Sequence, residues 1–183
     1  VELDEPLSRR RTELARIRSL HGPLSPDPDL PELAETPVHA AWWLRGERGG
    51  RVRVDLRLSP ESPPRIQTFG LTSVPEPGSE LAAAATAMVA AINEPDPNIP
   101  SSLEPAPEVD RAALGRAMRS AGARFSPVGL GPAVAGDGVG SATWRLRSER
   151  GELELEVRRD AESGLITTVS LSLAAPVPPP EPD

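Results

Sequence analysis

Two segments of this chain, Trp42-Trp43-Leu44-Arg45-Gly46-Glu47-Arg48-Gly49 and Trp144-Arg145-Leu146-Arg147-Ser148-Glu149-Arg150-Gly151, are nearly the same peptide, about one hundred residues apart. A repeat at a fixed offset constrains the fold more than local propensity does, because both copies must form the same supersecondary unit. The register extends beyond the tryptophans. Arg11, Leu14, Arg16 and Gly22 match Arg111, Leu114, Arg116 and Gly122, and Ser25-Pro26 matches Ser126-Pro127. Glu61-Ser62 matches Glu162-Ser163, and Ile66, Thr68 and Leu71 match Ile166, Thr168 and Leu171. The offset changes where Gly50 is extra and where Pro63-Pro64-Arg65 faces the shorter Gly164-Leu165, both turn positions that tolerate length changes.

Each copy reads as a helix followed by strands. Leu7, Leu14, Ile17 and Leu20 fall near one helical face that Gly22-Pro23 ends. In the second copy Val109, Ala113, Leu114, Ala117 and Met118 do the same, from after Glu108 to Gly122. The period then becomes two: Val52, Val54, Leu56 and Leu58 alternate with Arg51, Arg53, Asp55 and Arg57, and Leu153, Leu155 and Val157 alternate with Glu152, Glu154, Glu156 and Arg158. Each is expected to be a strand with one buried and one wet face. The Trp-x-Leu strand precedes it across a Glu-Arg-Gly turn, making a hairpin. A further strand follows at Ile66 to Thr72 and at Leu165 to Leu173. Between the copies Leu81, Ala85, Met88, Val89 and Ile92 mark a helix from Ser79 to Asn93, stopped by Glu94-Pro95-Asp96-Pro97. The expected fold is α+β: two tandem helix-plus-antiparallel-sheet repeats, at 1–77 and 78–175, with a Pro-rich tail or linker at 176–183. Trp42 should lie where Trp144 lies, and Leu14 where Leu114 lies.

The 183 residues, 38 % of them hydrophobic, suit one medium domain or two small modules. Every basic residue is Arg, the pattern of a GC-rich bacterial genome. Without Lys there is no Schiff base, phosphate-loop lysine or Ser-x-x-Lys pair, and without Cys no thiolate nucleophile, thiolate metal site or disulfide. The formal charge of −7 argues against a nucleic-acid partner, which needs a basic stripe. No apolar run approaches the roughly 20 residues of a membrane span. The chain opens on Val1 and shows no signal peptide, as a processed or excised segment would, and the cytoplasm is the favoured compartment.

Residues that could carry chemistry are few. The strand faces carry opposite charge, with Arg51, Arg53 and Arg57 outweighing Asp55 in the first copy and Glu152, Glu154 and Glu156 outweighing Arg158 in the second. Either these faces meet, in cis or between chains, or both are ordinary solvated faces whose ion pairs contribute about 0–1 kcal/mol each. Trp42 and Trp144 share a register with Leu44 and Leu146 and are expected in the core. Trp43, whose counterpart is Arg145, faces the other way and marks an interface candidate. His21 and His39 belong to different elements with no ligand spacing, so no metal or cofactor is expected. A general base would have to come from these or from Asp55, Glu61 or Asp137, and none has a partner in the sequence. Gly136-Asp137-Gly138-Val139-Gly140 lacks the third glycine of a cofactor loop and reads as a hairpin turn. The ligand or interface candidates are therefore Trp43, His39, Asp55, Arg51 and Arg53, with no catalytic residue assigned.

Met88-Val89-Ala90-Ala91-Ile92-Asn93, a loop, the helix Arg111 to Ser120, then Arg124-Phe125-Ser126-Pro127 and three strands resemble the nuclear-transport-factor-like (ketosteroid-isomerase-type, cystatin-like) domains. Leu58-Ser59-Pro60-Glu61 with Pro63-Pro64-Arg65-Ile66-Gln67 is similar to modules of this type that precede serine hydrolase or β-lactamase-like domains in actinobacteria. The chain has no Tyr, and no position matches an isomerase catalytic Tyr or Asp, so the resemblance carries over no catalytic residue. The first copy also lacks a helix upstream of Leu7. The resemblance implies a non-catalytic accessory or interaction module, the amino-terminal part of a larger serine hydrolase, with a protein partner (a cis domain or a second copy) favoured over a small molecule. The alternative is a small-molecule-binding or cyclase/isomerase-like domain using a cone-shaped cavity.

Overall fold

The computed structural model describes residues 7–30, 33–103 and 105–174; the side chains of residues 7, 8 and 33–35 and the tail at 176–183 lie outside that description. The chain is α+β and divides between Pro75 and Glu76 into two compact units. Unit 1 contains helix α1 (Leu7–His21) and strands β1 (Leu24–Pro26), β2 (Leu33–Thr36), β3 (His39–Gly46), β4 (Arg51–Leu58) and β5 (Ile66–Val74). Its antiparallel sheet runs β1-β3-β4-β5, with β2 on the same edge of β3 as β1. Unit 2 contains helices α2 (Ser79–Ile92) and α3 (Arg111–Phe125) and an antiparallel meander of β6 (Gly129–Gly136), β7 (Ser141–Ser148), β8 (Gly151–Arg159) and β9 (Ile166–Leu173).

The two sheets share their pairing rung by rung. Trp42 pairs with Val54, and Val54 with Leu71; Trp144 pairs with Leu155, and Leu155 with Leu171. Even the irregularities coincide, for the register shifts between Arg57 and Leu58 in one sheet and between Arg158 and Arg159 in the other. The expected pattern of two similar sheet units is present.

The helices correct the expected register. α1 and α3 each have 15 residues, and the side chains at their ends hold equivalent places. A Cβ added at Gly50 would meet the His21 ring, and one added at Gly151, which also opens the hairpin's return strand, would meet the Phe125 ring. Arg48 donates to Ser19 O and Arg150 to Arg124 O, each from the hairpin turn to the last turn of its helix. His21 therefore corresponds to Phe125 and Leu14 to Met118, one turn beyond the matching read from Arg11 and Arg111. A four-residue slip returns a helix to nearly the same face, so sequence periodicity tolerates it. The buried face of α1 is Ile17 and His21, while Leu14 and Leu20 are exposed. Nor does Gly122 end α3, which continues to Phe125. A Cβ there would stand 2.7 Å from Ile92 O, so this glycine lets α3 approach the end of α2 closely.

Unit 2 has a two-layer core. Met88 and Ile92 of α2, Met118 of α3, and Leu146, Leu155 and Val157 of the sheet are fully buried, and Trp144 is 4 % exposed. Among the described residues unit 1 has one helix, and its Trp42 and Leu44 are only half-buried. The sequence pattern also passed over a strand in each copy. β6 contains Gly129, Gly131, Pro132 and Gly136, all poor strand formers, and its counterpart in unit 1 is broken into β1 and β2.

Candidate functional site

The outward face of the unit 1 sheet, opposite α1, brings most of the candidate residues together. Alternation along β3 and β4 puts Ala41, Trp43, Arg45, Arg51, Arg53 and Asp55 on this face. It was expected to be wet, and over Arg51 and Trp43 it is not: they are 8 % and 7 % exposed. The connection leaving β1 covers them. Asp27 N–H donates to Trp43 O at 3.0 Å, which pins Pro26-Asp27-Pro28-Asp29-Leu30 against β3. Trp43, the interface candidate, is thus a buried wall of a cavity of about 370 Å³ shared with Pro26, Asp27, Leu30 and Trp42.

This connection also supplies charge. Arg45 and Arg51 are directly opposed on β3 and β4, an arrangement that repels. The Asp27 side chain is fully buried, and Arg51 Nε donates to its Oδ2 at 2.6 Å. Arg45 bonds the Asp29 carboxylate and lies 3.9 Å from Asp27 Oδ1, and Arg51 Nη2 lies 3.8 Å from Asp29. Asp29 N–H in turn donates to Asp27 Oδ1, 3.0 Å. Two carboxylates on one short loop therefore offset two opposed guanidinium groups. Arg53, on the next rung opposite Trp43, has its Nε buried without a hydrogen-bond partner among the described residues.

Farther along the same face, His39 Nε2 lies 3.3 Å from both Asp55 carboxylate oxygens. The His39 side chain is 11 % exposed and that of Asp55 32 %. The two candidates sit on neighbouring strands, brought side by side by the β3–β4 register, which no linear spacing reports. His21 has a structural part instead. Gly49 O can only accept, so Nδ1 donates to it at 3.0 Å, and in the neutral ring Nε2 then accepts from the Ser73 hydroxyl at 2.7 Å.

On the equivalent face of unit 2 the charges balance within the strands. Arg145, 9 % exposed, lies 3.5 Å from Glu152 and 3.7 Å from Glu154; Arg147 lies 3.5 Å from Glu152, and Arg158 donates to Glu156 at 2.6 Å. The acidic and basic faces are each compensated largely inside their own unit. Asp137 occupies a turn, as read: its Oδ1 accepts from the N–H groups of Val139, Gly140 and Ser141. Those bonds, Val139's first, hold its carboxyl below the usual aspartate range. Glu61, on an exposed turn, lies 3.9 Å from Arg65.

Sequence reasoning missed Asp27 and Asp29. The Pro-Asp-Pro-Asp run was the available signal, since it places two acids on a stiff connection, but what they neutralise appears only in the tertiary pairing. Among the described residues no three His, Cys, Asp or Glu are grouped so as to hold a metal ion, and no helix is long and apolar enough to cross a membrane. No family model, no curated protein and no solved structure matches this chain.

Proposed function

We propose that this chain is a non-catalytic accessory or interaction module of nuclear-transport-factor-like, cystatin-like type, the amino-terminal part of a larger serine hydrolase. One observation carries the reading. In unit 2 the space between the helices and the sheet, where a cone-shaped ligand cavity would lie, is occupied by Met88, Met118, Trp144, Leu146 and Leu155, all at most 4 % exposed. Close packing of that kind leaves no room for a substrate at the centre of this layer without losing core contacts. The ion pairs on both outward faces support the same reading, because their charged groups are engaged in holding strands and loops. The reading predicts that the full gene product reacts with a fluorophosphonate or a fluorescent penicillin while this chain alone does not; a full product that labels with neither would sink it.

The second reading, a small-molecule-binding or cyclase/isomerase-like domain, has the His39–Asp55 pair in its favour, since a carboxylate-oriented imidazole can serve as a base. A panel of apolar ring compounds separates the two. Under the accessory reading melting temperature and tryptophan emission stay unchanged, whereas saturable quenching that His39→Ala abolishes would favour the second.

A further inference from the structure

The two sheets end in four edges, and three carry features that discourage pairing with another chain. The β3 edge is divided between two short strands, the first ending at Pro26. β6 contains Pro132, and its register against β7 shifts twice. β5 contains Gly70, and Arg9, Arg10 and Glu13 of α1 line the groove above it. β9 has one of these features, a single register shift at its start between Ile166 and Thr168, and is regular from there on. Its sequence, Ile-Thr-Thr-Val-Ser-Leu-Ser-Leu, contains no charge, no Pro and no Gly. Among the described residues the segment before α3 meets the start of this strand: Ala106 N–H donates to Ile166 O at 2.8 Å, and Glu108, Val109 and Asp110 share a groove with Thr167 and Thr168.

The groove above β9 is the counterpart of the one above β5. Ala113, Leu114 and Ala117 hold the places of Arg9, Arg10 and Glu13 in the corrected helix register, and they bound a cavity of about 410 Å³ whose acidic residues, Glu108 and Asp110, come from the segment before α3. At Ala117 and Leu171 it meets a second cavity of about 280 Å³ that reaches Leu173. Val169, Leu171 and Leu173 face this groove, since they pair with the buried Val157, Leu155 and Leu153, yet Leu173 is 61 % exposed. The apolar layer of unit 2 is thus open along this flank. A strand laid against β9 would satisfy the edge and close the layer together, provided it were uncharged and apolar at every second residue.

We propose that this edge binds a second copy of the chain, β9 against β9, antiparallel about a two-fold axis normal to the sheet. β9 itself meets both requirements for the occupant. That axis keeps Val169, Leu171 and Leu173 of both copies on the helix side, so each copy's apolar residues enter the other's groove, and no like charges stand opposite on the joined strands. The two four-stranded sheets become one continuous sheet. This rests on the interaction-module reading and names its partner and surface.

The test is the mass of the intact chain by sedimentation and light scattering, from low to high micromolar concentration, where an edge pairing of this size is expected to dissociate. The mass is expected to rise to twice that of the chain. Ser170→Lys combined with Ser172→Lys places like charges along the joined edge and is expected to weaken association at least about tenfold with circular dichroism unchanged. Thr72→Lys on β5 should leave association unaltered. If the lysine variant fails to fold, backbone amide exchange of the wild type decides: residues 168–172 gain protection as the mass doubles. A wild type that stays monomeric, a folded lysine variant that associates normally, or a dimer whose β9 amides exchange as in the monomer overturns the pairing. A monomer that instead protects β9 on adding a different protein overturns it as well. None of these outcomes alters the labelling test of the hydrolase-accessory reading, so the two proposals fail separately.

Discussion

Arg45 faces Arg51 across β3 and β4, and at the corresponding rung of unit 2 Arg147 faces Glu152. The rungs have the same geometry and opposite charge logic. In unit 2 an exposed strand pair is neutralised by its own neighbours. In unit 1 neutralisation comes from Asp27 and Asp29 on a loop outside the strand pair, and that loop buries what it neutralises. Two copies can therefore keep one backbone register while moving the source of charge balance, and the move changes how much each copy depends on its loop.

Removing Asp27 should break this comparison most severely. Asp27→Ala leaves Arg51 buried with its main partner gone and is expected to destabilise unit 1 by about 3–5 kcal/mol, read from urea unfolding. Glu152→Ala in unit 2 should cost about 1 kcal/mol or less, because Glu152 and Arg147 keep contact with water and the buried Arg145 keeps Glu154. Equal losses would mean that the loop is not the difference between the units. Adding Arg51→Glu to Asp27→Ala copies the unit 2 arrangement into unit 1 and should recover part of the loss.

The helix register offers the next test. Met118→Ala is expected to cost about 2–5 kcal/mol, whereas Leu14→Ala, at the equivalent but exposed place, should stay within about 0.5 kcal/mol. A large loss at Leu14 would mean that α1 buries this position as α3 buries Met118. A smaller effect is expected at the start of α3, where Asp110 Oδ1 accepts from Ala113 N–H at 2.8 Å; Asp110→Ala should lower unit 2 stability by about 1 kcal/mol in the same unfolding assay.

The smallest effect concerns pH. The folded state holds the Asp137 carboxyl below its unfolded value, so its contribution is present above the ordinary aspartate range and is lost as pH falls through the depressed folded value. Asp137→Asn should therefore flatten the acid end of a stability–pH profile below about pH 4 and leave its shape near neutrality unchanged. An acid limb as steep as wild type would remove Asp137 from the account.

Much of this fold is legible in the residues, and the illegible parts have definite causes. Val52 to Leu58 and Leu153 to Val157 alternate strictly, so both hairpins follow from period two. The face of α2 is readable for the same kind of reason, since Leu81, Ala85, Met88, Val89 and Ile92 are all buried. β6 escaped because pairing with β7 holds a Gly- and Pro-rich segment that would not be extended alone. Helix register escaped because neighbouring turns present the same face. The candidate site was half visible: Trp43, His39, Asp55, Arg51 and Arg53 do share one face, but Asp27 and Asp29, which make that face a buried one, come from a loop whose docking no strand pattern encodes.

The extra residues Gln67 in β5 and Thr167 in β9 bear on ancestry. A regular antiparallel meander is something many unrelated sequences reach, since alternation and short turns suffice to specify it. An unpaired residue at the same rung of two sheets is not demanded by alternation, which it interrupts by reversing the parity of everything before it. That is why Ile166 reaches the same side of the sheet as Val169 and Leu171 although its spacing from both is odd. A defect copied in place behaves like a scribal error carried into a second manuscript, and it points to descent from one gene segment more strongly than the shared Trp-x-Leu-Arg letters do.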